Sequence, residues 1–251
     1  MIGVLALSAV VGSILGSFLN VVAWRLPRGA SLVSPGSACP SCDTPVKPYD
    51  NVPVLGWLML RGHCRACSAP ISARYPLVEA VTAGLYAAVV AARFDDPAAL
   101  ALGLGLVTVL VPVVLIDLDH RLIPNKLTGP AAAVALTLGA LLDPGHLPEQ
   151  LIAGAAAGGF FLLAALAYPN GMGMGDVKLA AVLGLFLGRA VAPAIFIALI
   201  AGVAVGAVII ARLGAEAGRK TAVPFGPFLA LGALVALFAG GPLVDAYLTR
   251  F

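Results

Sequence analysis

Long apolar runs separated by short polar segments constrain the fold of this chain more than any other feature. A helix needs about 20 apolar residues to cross the hydrocarbon core of a bilayer. We predict eight such helices, at residues 2–24, 76–92, 98–116, 127–142, 150–168, 177–188, 190–211 and 225–248. Only 11% of the residues are charged, against about 25% in soluble domains. The sequence therefore predicts an all-α, polytopic membrane protein embedded in a lipid bilayer.

Two of the predicted spans have individual features. The first, 2–24, has no basic residue before it and is long enough to span, so we expect no cleavable signal peptide. Gly12 and Gly16 within it have the spacing of a helix-packing face. The run 177–188 has twelve residues, which is short for a span and also compatible with a re-entrant segment.

Residues 25–74 differ in kind from the rest of the chain. They hold all four cysteines, six of the fifteen basic residues and seven prolines. So short a segment is too small to build a hydrophobic core of its own. We therefore predict a small polar loop domain after the first span, which needs another source of stability.

The four cysteines form two C-x-x-C motifs, Cys39 with Cys42 and Cys64 with Cys67, with 21 residues between them. This spacing is typical of tetrahedral zinc sites. Four thiolate ligands leave no open position, so the predicted zinc is structural. A disulfide or redox pair is the alternative, which a reducing cytoplasm disfavours. His63 is a spare candidate ligand.

The distribution of basic residues predicts the orientation. With the cysteine loop in the cytoplasm and the spans alternating, 12 of the 15 basic residues lie on the cytoplasmic side. This agrees with the excess of Lys and Arg found in cytoplasmic loops. The basic residues are scattered without a dense cluster, so we expect no nucleic-acid partner.

Two carboxylates adjoin apolar runs. Asp117 ends the run 110–116, and Asp176 lies between two predicted spans, beside Gly173 and Gly175. An ionisable group at membrane depth is costly and is a functional-site hypothesis by default. Two adjacent carboxyl groups share a proton, so one acts as base and the other as acid in peptide hydrolysis. The glycines leave room for a substrate backbone.

Neighbouring charges offer alternatives. Asp119 lies two residues beyond Asp117, and in a helix the two side chains would point roughly 200° apart. We interpret Asp119 as a loop carboxylate in an ion pair. Lys178 is expected to extend to the membrane interface, with pairing to a carboxylate as the alternative.

Several of these segments together resemble one family, the bifunctional prepilin leader peptidase/N-methyltransferases of bacteria. The similar segments are residues 16–22 with 25–27, the two C-x-x-C motifs, 75–79, 116–125 and 173–178. The last contains the GxGD pattern of intramembrane aspartyl proteases. The resemblance implies that Asp117 and Asp176 are the catalytic aspartates.

The resemblance also implies a reaction and a place for it. Such enzymes cut the basic leader from type IV prepilin and pseudopilin precursors at the cytoplasmic face of the bacterial inner membrane. They then methylate the new N-terminal residue, with S-adenosylmethionine as donor. On this basis we predict a methyltransferase-associated region at 1–97, including the loop domain, and a peptidase domain at 98–251. The alternatives are a peptidase without methyltransferase activity, an aspartate-based transporter and a zinc-stabilised scaffold.

Overall fold

Helices make up the regular secondary structure of the residues that the computed structural model describes, which are 1–168, 171–214, 216–217, 221 and 223–250. Within these ranges the only extended pairings are isolated β-bridges. The chain divides into two compact units, Met1–Phe94 and Asp95–Phe251. Two of the twelve basic residues that the prediction assigns to the cytoplasmic side, Arg219 and Lys220, lie outside the described residues.

The first unit contains α1 (Ile2–Arg25), α2 (Leu55–Met59) and α3 (Arg74–Arg93), with a 3-10 turn at Pro48–Asp50. The second unit contains α4 (Pro97–His120), α5 (Asn125–Leu142), α6 (Leu147–Ala167), α7 (Met174–Leu187), α8 (Val191–Leu213) and α9 (Gly226–Leu248), with a 3-10 turn at Gly188–Ala190. The predicted all-α class is confirmed.

Six stretches of the described residues are long and apolar enough to cross a membrane. They are Ile2–Arg25, Arg74–Arg93, Pro97–His120, Leu147–Ala167, Met174–Leu213 and Gly226–Leu248. These stretches support a multi-pass membrane protein. α5 is not among them, and α7 and α8 fall within one stretch of 40 residues, so eight separate spans remain a prediction.

α7 is too short to cross a bilayer alone. At about 1.5 Å per residue its fourteen residues cover about 21 Å, less than the roughly 30 Å of the hydrocarbon core. The helix ends at Gly188, whose φ of 55° is accessible to glycine at little cost. The N–H of Arg189 then donates to Glu149 Oε1 at 2.8 Å, which joins this break to α6.

In the first unit, α1 packs closely on α3 through its glycines. A Cβ at Gly12 would lie 2.8 Å from Tyr86 Cβ, and one at Gly16 would lie 2.9 Å from Glu79 Cα. Real side chains do not approach so closely, so only glycine permits this contact. The predicted packing face on α1 is confirmed.

Buried polar groups tie the cysteine loop to the helices of the first unit. Glu79 is 8% exposed, and its Oε2 accepts the backbone N–H of Val54 at 2.7 Å. Val54 has a φ of 62°, rare for a β-branched residue. A buried carboxylate requires such a partner, and its hydrogen bond holds the entry to α2 in place. A second polar contact joins the two long helices of this unit, because the side chain of Asn20 on α1 donates to the Tyr75 carbonyl at the start of α3 at 3.3 Å.

In the second unit, α4, α7 and α9 all contact one another. Their shared core includes Ile116, Leu179 and Leu229, each fully buried. α6 lies against α7, where a Cβ at Gly184 would sit 2.5 Å from the carbonyl oxygen of Ala153. This packing brings the end of α4, the start of α7 and the start of α9 into one region.

Candidate functional site

The four cysteine sulfurs come together in the first unit, all within 4.8 Å of one another. Cys39 Sγ lies 3.8 Å from Cys67 Sγ, and Cys42 Sγ lies 4.0 Å from Cys64 Sγ. Four sulfurs at about 2.3 Å from a tetrahedral zinc are about 3.8 Å apart. The donor set and its spacing therefore fit a zinc ion.

The two cysteine motifs adopt the same local structure, 25 residues apart (39 to 64 and 42 to 67). In the first, the N–H of Cys39 donates to the Thr44 carbonyl at 3.0 Å, and in the second the N–H of Cys64 donates to the Ala69 carbonyl at 2.8 Å. Isolated bridges join Ala38 to Pro45 and His63 to Pro70. Each turn thus presents two sulfurs to one point.

The residue after each motif adopts the same unusual backbone conformation. Asp43 has a φ of 53° and Ser68 a φ of 58°, in the left-handed region. Their N–H groups donate to the carbonyls of Cys39 and Cys64, each at 2.9 Å. The repeated hydrogen bonds keep both turns tight around the sulfurs.

The thiols of Cys42, Cys64 and Cys67 differ in pKa. Hydrogen bonding to Thr44 lowers the pKa of Cys42 to about 6, and backbone N–H groups beside Cys64 lower its pKa. At Cys67 a backbone hydrogen bond at Ala69 acts to lower the pKa. The neighbouring sulfur of Cys42 and burial outweigh that effect and raise the pKa to about 12. Four clustered thiolates repel one another, and a bound dication relieves that repulsion.

An ion pair supports the second motif. Arg65, between Cys64 and Cys67, donates from Nε to Asp50 Oδ2 at 2.8 Å. This guanidinium lowers the pKa of Asp50. The pair links the 3-10 turn at Pro48–Asp50 to the motif.

Asp117 lies in the last turn of α4. This helix begins at Pro97, where Asp96 caps it by accepting the Ala99 N–H at 3.0 Å. Asp117 is 5% exposed, and its Oδ2 accepts the backbone N–H of Gly226 at 2.8 Å. The carboxylate is thus buried at the meeting of α4 and α9.

The end of α4 distinguishes Asp117 from Asp119. The helix continues through His120 rather than ending at residue 116 as predicted, and closes at Arg121 with a φ of 53°. Asp119 is therefore helical, not in a loop, and it is exposed. Helical geometry turns the two carboxylates to different faces, and only Asp117 faces the core.

Asp176 lies in the first turn of α7, half-buried. Its charge and that of Asp117 are close enough to interact electrostatically. Gly173 is exposed at the start of this helix, and a Cβ there would lie 3.4 Å from Asp176 Oδ2. The absence of a side chain at Gly173 leaves the approach to this carboxylate open.

Gly175 has a different environment from Gly173. A Cβ at Gly175 would lie 3.0 Å from the Cβ of Ile123 and 3.5 Å from its backbone nitrogen. Ile123 belongs to the short connection between α4 and α5. The close approach at Gly175 is therefore made by the chain itself, and it brings α7 against the segment that follows Asp117.

Lys178 donates from Nζ to Asn125 Oδ1 at 2.8 Å, which joins the start of α7 to the start of α5. The side chain is exposed. A cavity of about 370 Å³ opens beside this contact, lined by Asn125, Thr128, Gly129, Ala132, Lys178, Ala181, Val182 and Leu185. Its walls are mostly apolar.

Comparison with known proteins identifies relatives over nearly the whole chain. Residues 10–94 match the Bacterial Peptidase A24 N-terminal domain, and residues 104–210 match the Type IV leader peptidase family. A prepilin leader peptidase/N-methyltransferase of Aeromonas hydrophila is 38% identical, over 94% of this chain and 91% of the relative. One from Stutzerimonas stutzeri is 36% identical, over 95% and 92%.

The chain belongs to the type IV leader peptidase family. A third relative, the prepilin leader peptidase/N-methyltransferase of Pseudomonas aeruginosa, is 34% identical over 94% of this chain and 91% of its own length. No solved structure gave a significant match. The four cysteines lie within the first matched region of this leader peptidase family member, and Asp117 and Asp176 lie within the second.

No sequence pattern described above pointed to Gly226 as part of the candidate site. Its N–H is the hydrogen-bond donor to Asp117, yet it lies 109 residues further along the chain. The available signal is Pro224-Phe225-Gly226-Pro227, a glycine between prolines at a helix start. That pattern predicts where a helix begins, but it does not predict which group the N–H of Gly226 contacts.

Proposed function

We propose that this protein cleaves the basic leader peptide from type IV prepilin or pseudopilin precursors and methylates the new N-terminal residue. The observation that carries the proposal is the convergence of Asp117 and Asp176, from the end of α4 and the start of α7, in a member of the leader peptidase family. Relatives that are 34% to 38% identical over most of their lengths carry both activities in their names.

The proposed cleavage uses the two aspartates as a general base and a general acid. The ionised carboxylate removes a proton from water, and the resulting hydroxide attacks the carbonyl carbon of the scissile peptide bond. The protonated carboxyl group donates its proton to the carbonyl oxygen. Collapse of the tetrahedral intermediate then transfers a proton to the leaving amine and releases the leader. Two nearby carboxyl groups suit this division because they do not both ionise easily.

The precursor is proposed to approach on the side of Gly173. Its mature N-terminal segment is apolar and enters from the bilayer, with the leader junction at the cytoplasmic border. The exposed backbone at Gly173 lies next to Asp176 Oδ2, which gives an extended substrate backbone access to the carboxylate. In the family that the sequence resembles, the cut follows a glycine of the precursor, and a glycine there lowers the cost of unwinding the substrate helix.

The location proposed for this reaction is the cytoplasmic face of the bacterial inner membrane. Six apolar helical stretches support multi-pass insertion. The orientation is supported by the sequence distribution of Lys and Arg. On the side of the cysteine loop lie 12 of the 15 if all eight predicted spans cross, and 11 of the 15 if the run 177–188 does not.

Methyl transfer is proposed to depend on the N-terminal region, residues 1–97, and cleavage on residues 98–251. The cysteine cluster lies in the first compact unit and both aspartates in the second. S-adenosylmethionine is the co-substrate that the methylation requires.

An assay with purified protein tests both activities together. We expect the protein in liposomes to shorten a pilin-like precursor and to transfer label from S-adenosylmethionine to the new N-terminus. Cleavage without labelling would reduce the function to that of a peptidase. Absence of both, with folded protein and several precursors, would contradict the proposal and revive the transporter alternative.

We further propose that Cys39, Cys42, Cys64 and Cys67 bind one structural zinc ion per chain. Cys42→Ser removes one of four ligands, so we expect the zinc content to fall from one per chain to near zero. Because the loop has little core of its own, residues 25–74 should then lose protection from proteolysis while the membrane helices keep theirs. Metal analysis and limited proteolysis measure these effects.

Ser37→Ala is the matched control for Cys42→Ser, because Ser37 is an exposed residue of the same loop. This variant should retain one zinc per chain. Unchanged protein that contains no zinc, and whose four thiols alkylate readily, would contradict the proposed site.

A further inference from the structure

The start of α9 makes a direct contact with one of the proposed catalytic carboxylates. The backbone N–H of Gly226 donates to Asp117 Oδ2 at 2.8 Å, and the contact is buried. Gly226 is the first residue of α9, so this N–H has no acceptor within its own helix. The carboxylate also lies at the positive end of the helix dipole.

The contact requires glycine. A Cβ built on Gly226 would lie 2.7 Å from Asp117 Oδ2, 3.2 Å from its Cγ and 3.3 Å from its Cβ. All three distances are shorter than ordinary van der Waals contact. Any side chain at this position would therefore displace the carboxylate of Asp117 or the start of α9.

Aromatic packing holds the donor in position. Phe225, immediately before Gly226, lies 6.0 Å between ring centroids from Phe161 on α6 and 6.0 Å from Phe228 on α9. Phe161 is fully buried. Pro227 in the first turn restricts the backbone further. The Gly226 N–H is thus set by the core of the second unit and not by a mobile loop.

An N–H group only donates, so Oδ2 of Asp117 acts as an acceptor in this contact. This contact occupies one lone pair of Oδ2, so Oδ1 is the oxygen better placed to exchange a proton. We propose that Gly226 is a positioning residue of the peptidase site. Its N–H holds Oδ2 so that Oδ1 of Asp117 takes and returns the proton during cleavage. This inference rests on the proposed function, since it assigns a task to one oxygen of the proposed dyad.

Replacing Gly226 by glycolic acid tests the inference, because it exchanges the N–H for an ester oxygen and adds no side chain. The substitution can be made by nonsense suppression during cell-free synthesis into nanodiscs. A hydrogen bond to a charged group contributes a factor of about 10 to 150. We expect kcat for precursor cleavage to fall by about that factor with little change in KM, because the contact orients the catalytic group and not the precursor.

Gly226→Ala is the simpler second variant, and Gly241→Ala is its matched control. Both glycines lie in α9, but a Cβ at Gly241 would have no heavy atom within 4 Å. We expect Gly226→Ala to lose more cleavage than the ester variant, because its Cβ also displaces Asp117. Gly241→Ala should cleave like the unchanged enzyme. Size-exclusion chromatography and thermal unfolding show whether each variant is folded.

The outcomes separate this inference from the proposed function. An ester variant with unchanged kcat, or with a loss confined to KM, overturns the role of Gly226. If the unchanged enzyme cleaves no precursor, the proposed function itself fails. If folded Asp117→Asn cleaves normally, the catalytic role does not belong to Asp117, and the role of Gly226 fails with it. Loss of kcat in the ester variant, with an active Gly241→Ala enzyme, supports the assignment.

Discussion

Asp117→Asn and Asp176→Asn should each lower precursor cleavage by a factor of about 10² to 10⁴, the usual contribution of a general acid or base. Asparagine keeps the size of the side chain but cannot exchange a proton, so the loss should appear in kcat. The double variant should be little worse than either single one, since the two carboxyl groups act as a unit. Cleavage of a purified precursor in liposomes measures all three variants.

Asp119→Asn is the matched control for the dyad. It removes a carboxylate from the same end of α4, but an exposed one. We expect it to retain substantial cleavage. Normal cleavage by folded Asp117→Asn, or full loss with Asp119→Asn alone, would transfer the catalytic role to Asp119.

Methyl transfer should survive the loss of the dyad. Asp176→Asn is expected to cleave almost no precursor, yet to methylate a precleaved pilin peptide at close to the unchanged rate. The physical reason is that Asp176 lies in the second compact unit, whereas the region proposed for methyl transfer lies in the first. Transfer of label from S-adenosylmethionine to the precleaved peptide is the measurement.

A variant in the first unit tests the same separation of the two activities from the other side. Cys42→Ser disturbs the first unit, so it should reduce methylation of the precleaved peptide more than it reduces cleavage of the precursor. If folded Asp176→Asn loses methylation as well, the two activities share the dyad and the proposed division of the chain is incorrect.

Local patterns predicted the features that depend on neighbours in sequence. Apolar run lengths indicated the helices, and Gly12 and Gly16 indicated a packing face, because helical periodicity relates residues four apart to one surface. The C-x-x-C spacing indicated a cluster because each motif is a single turn that presents two sulfurs. The close packing at Gly12 and Gly16 and the clustering of the four sulfurs in the structure agree with these expectations.

Predictions near element boundaries were less accurate. The sequence indicated that α4 ended at residue 116, but the helix continues to His120. Asp119, His120 and Arg121 are polar, and hydropathy does not distinguish a polar helix end from a loop. At α7 the predicted end, residue 188, lies one residue beyond the observed end at Leu187, because Arg189 interrupts the apolar sequence there.

By itself, the sequence determined a helical membrane protein with a four-cysteine loop and two carboxylates beside apolar runs. Run length, residue type and short spacing are properties of the chain, and no distant contact alters them. The tertiary structure alone decided that Ile123 fills the space at Gly175 and that Gly226, 109 residues beyond Asp117, donates to its carboxylate. Those contacts depend on how α4, α7 and α9 pack, and packing brings together residues whose separation in sequence carries no periodic signal.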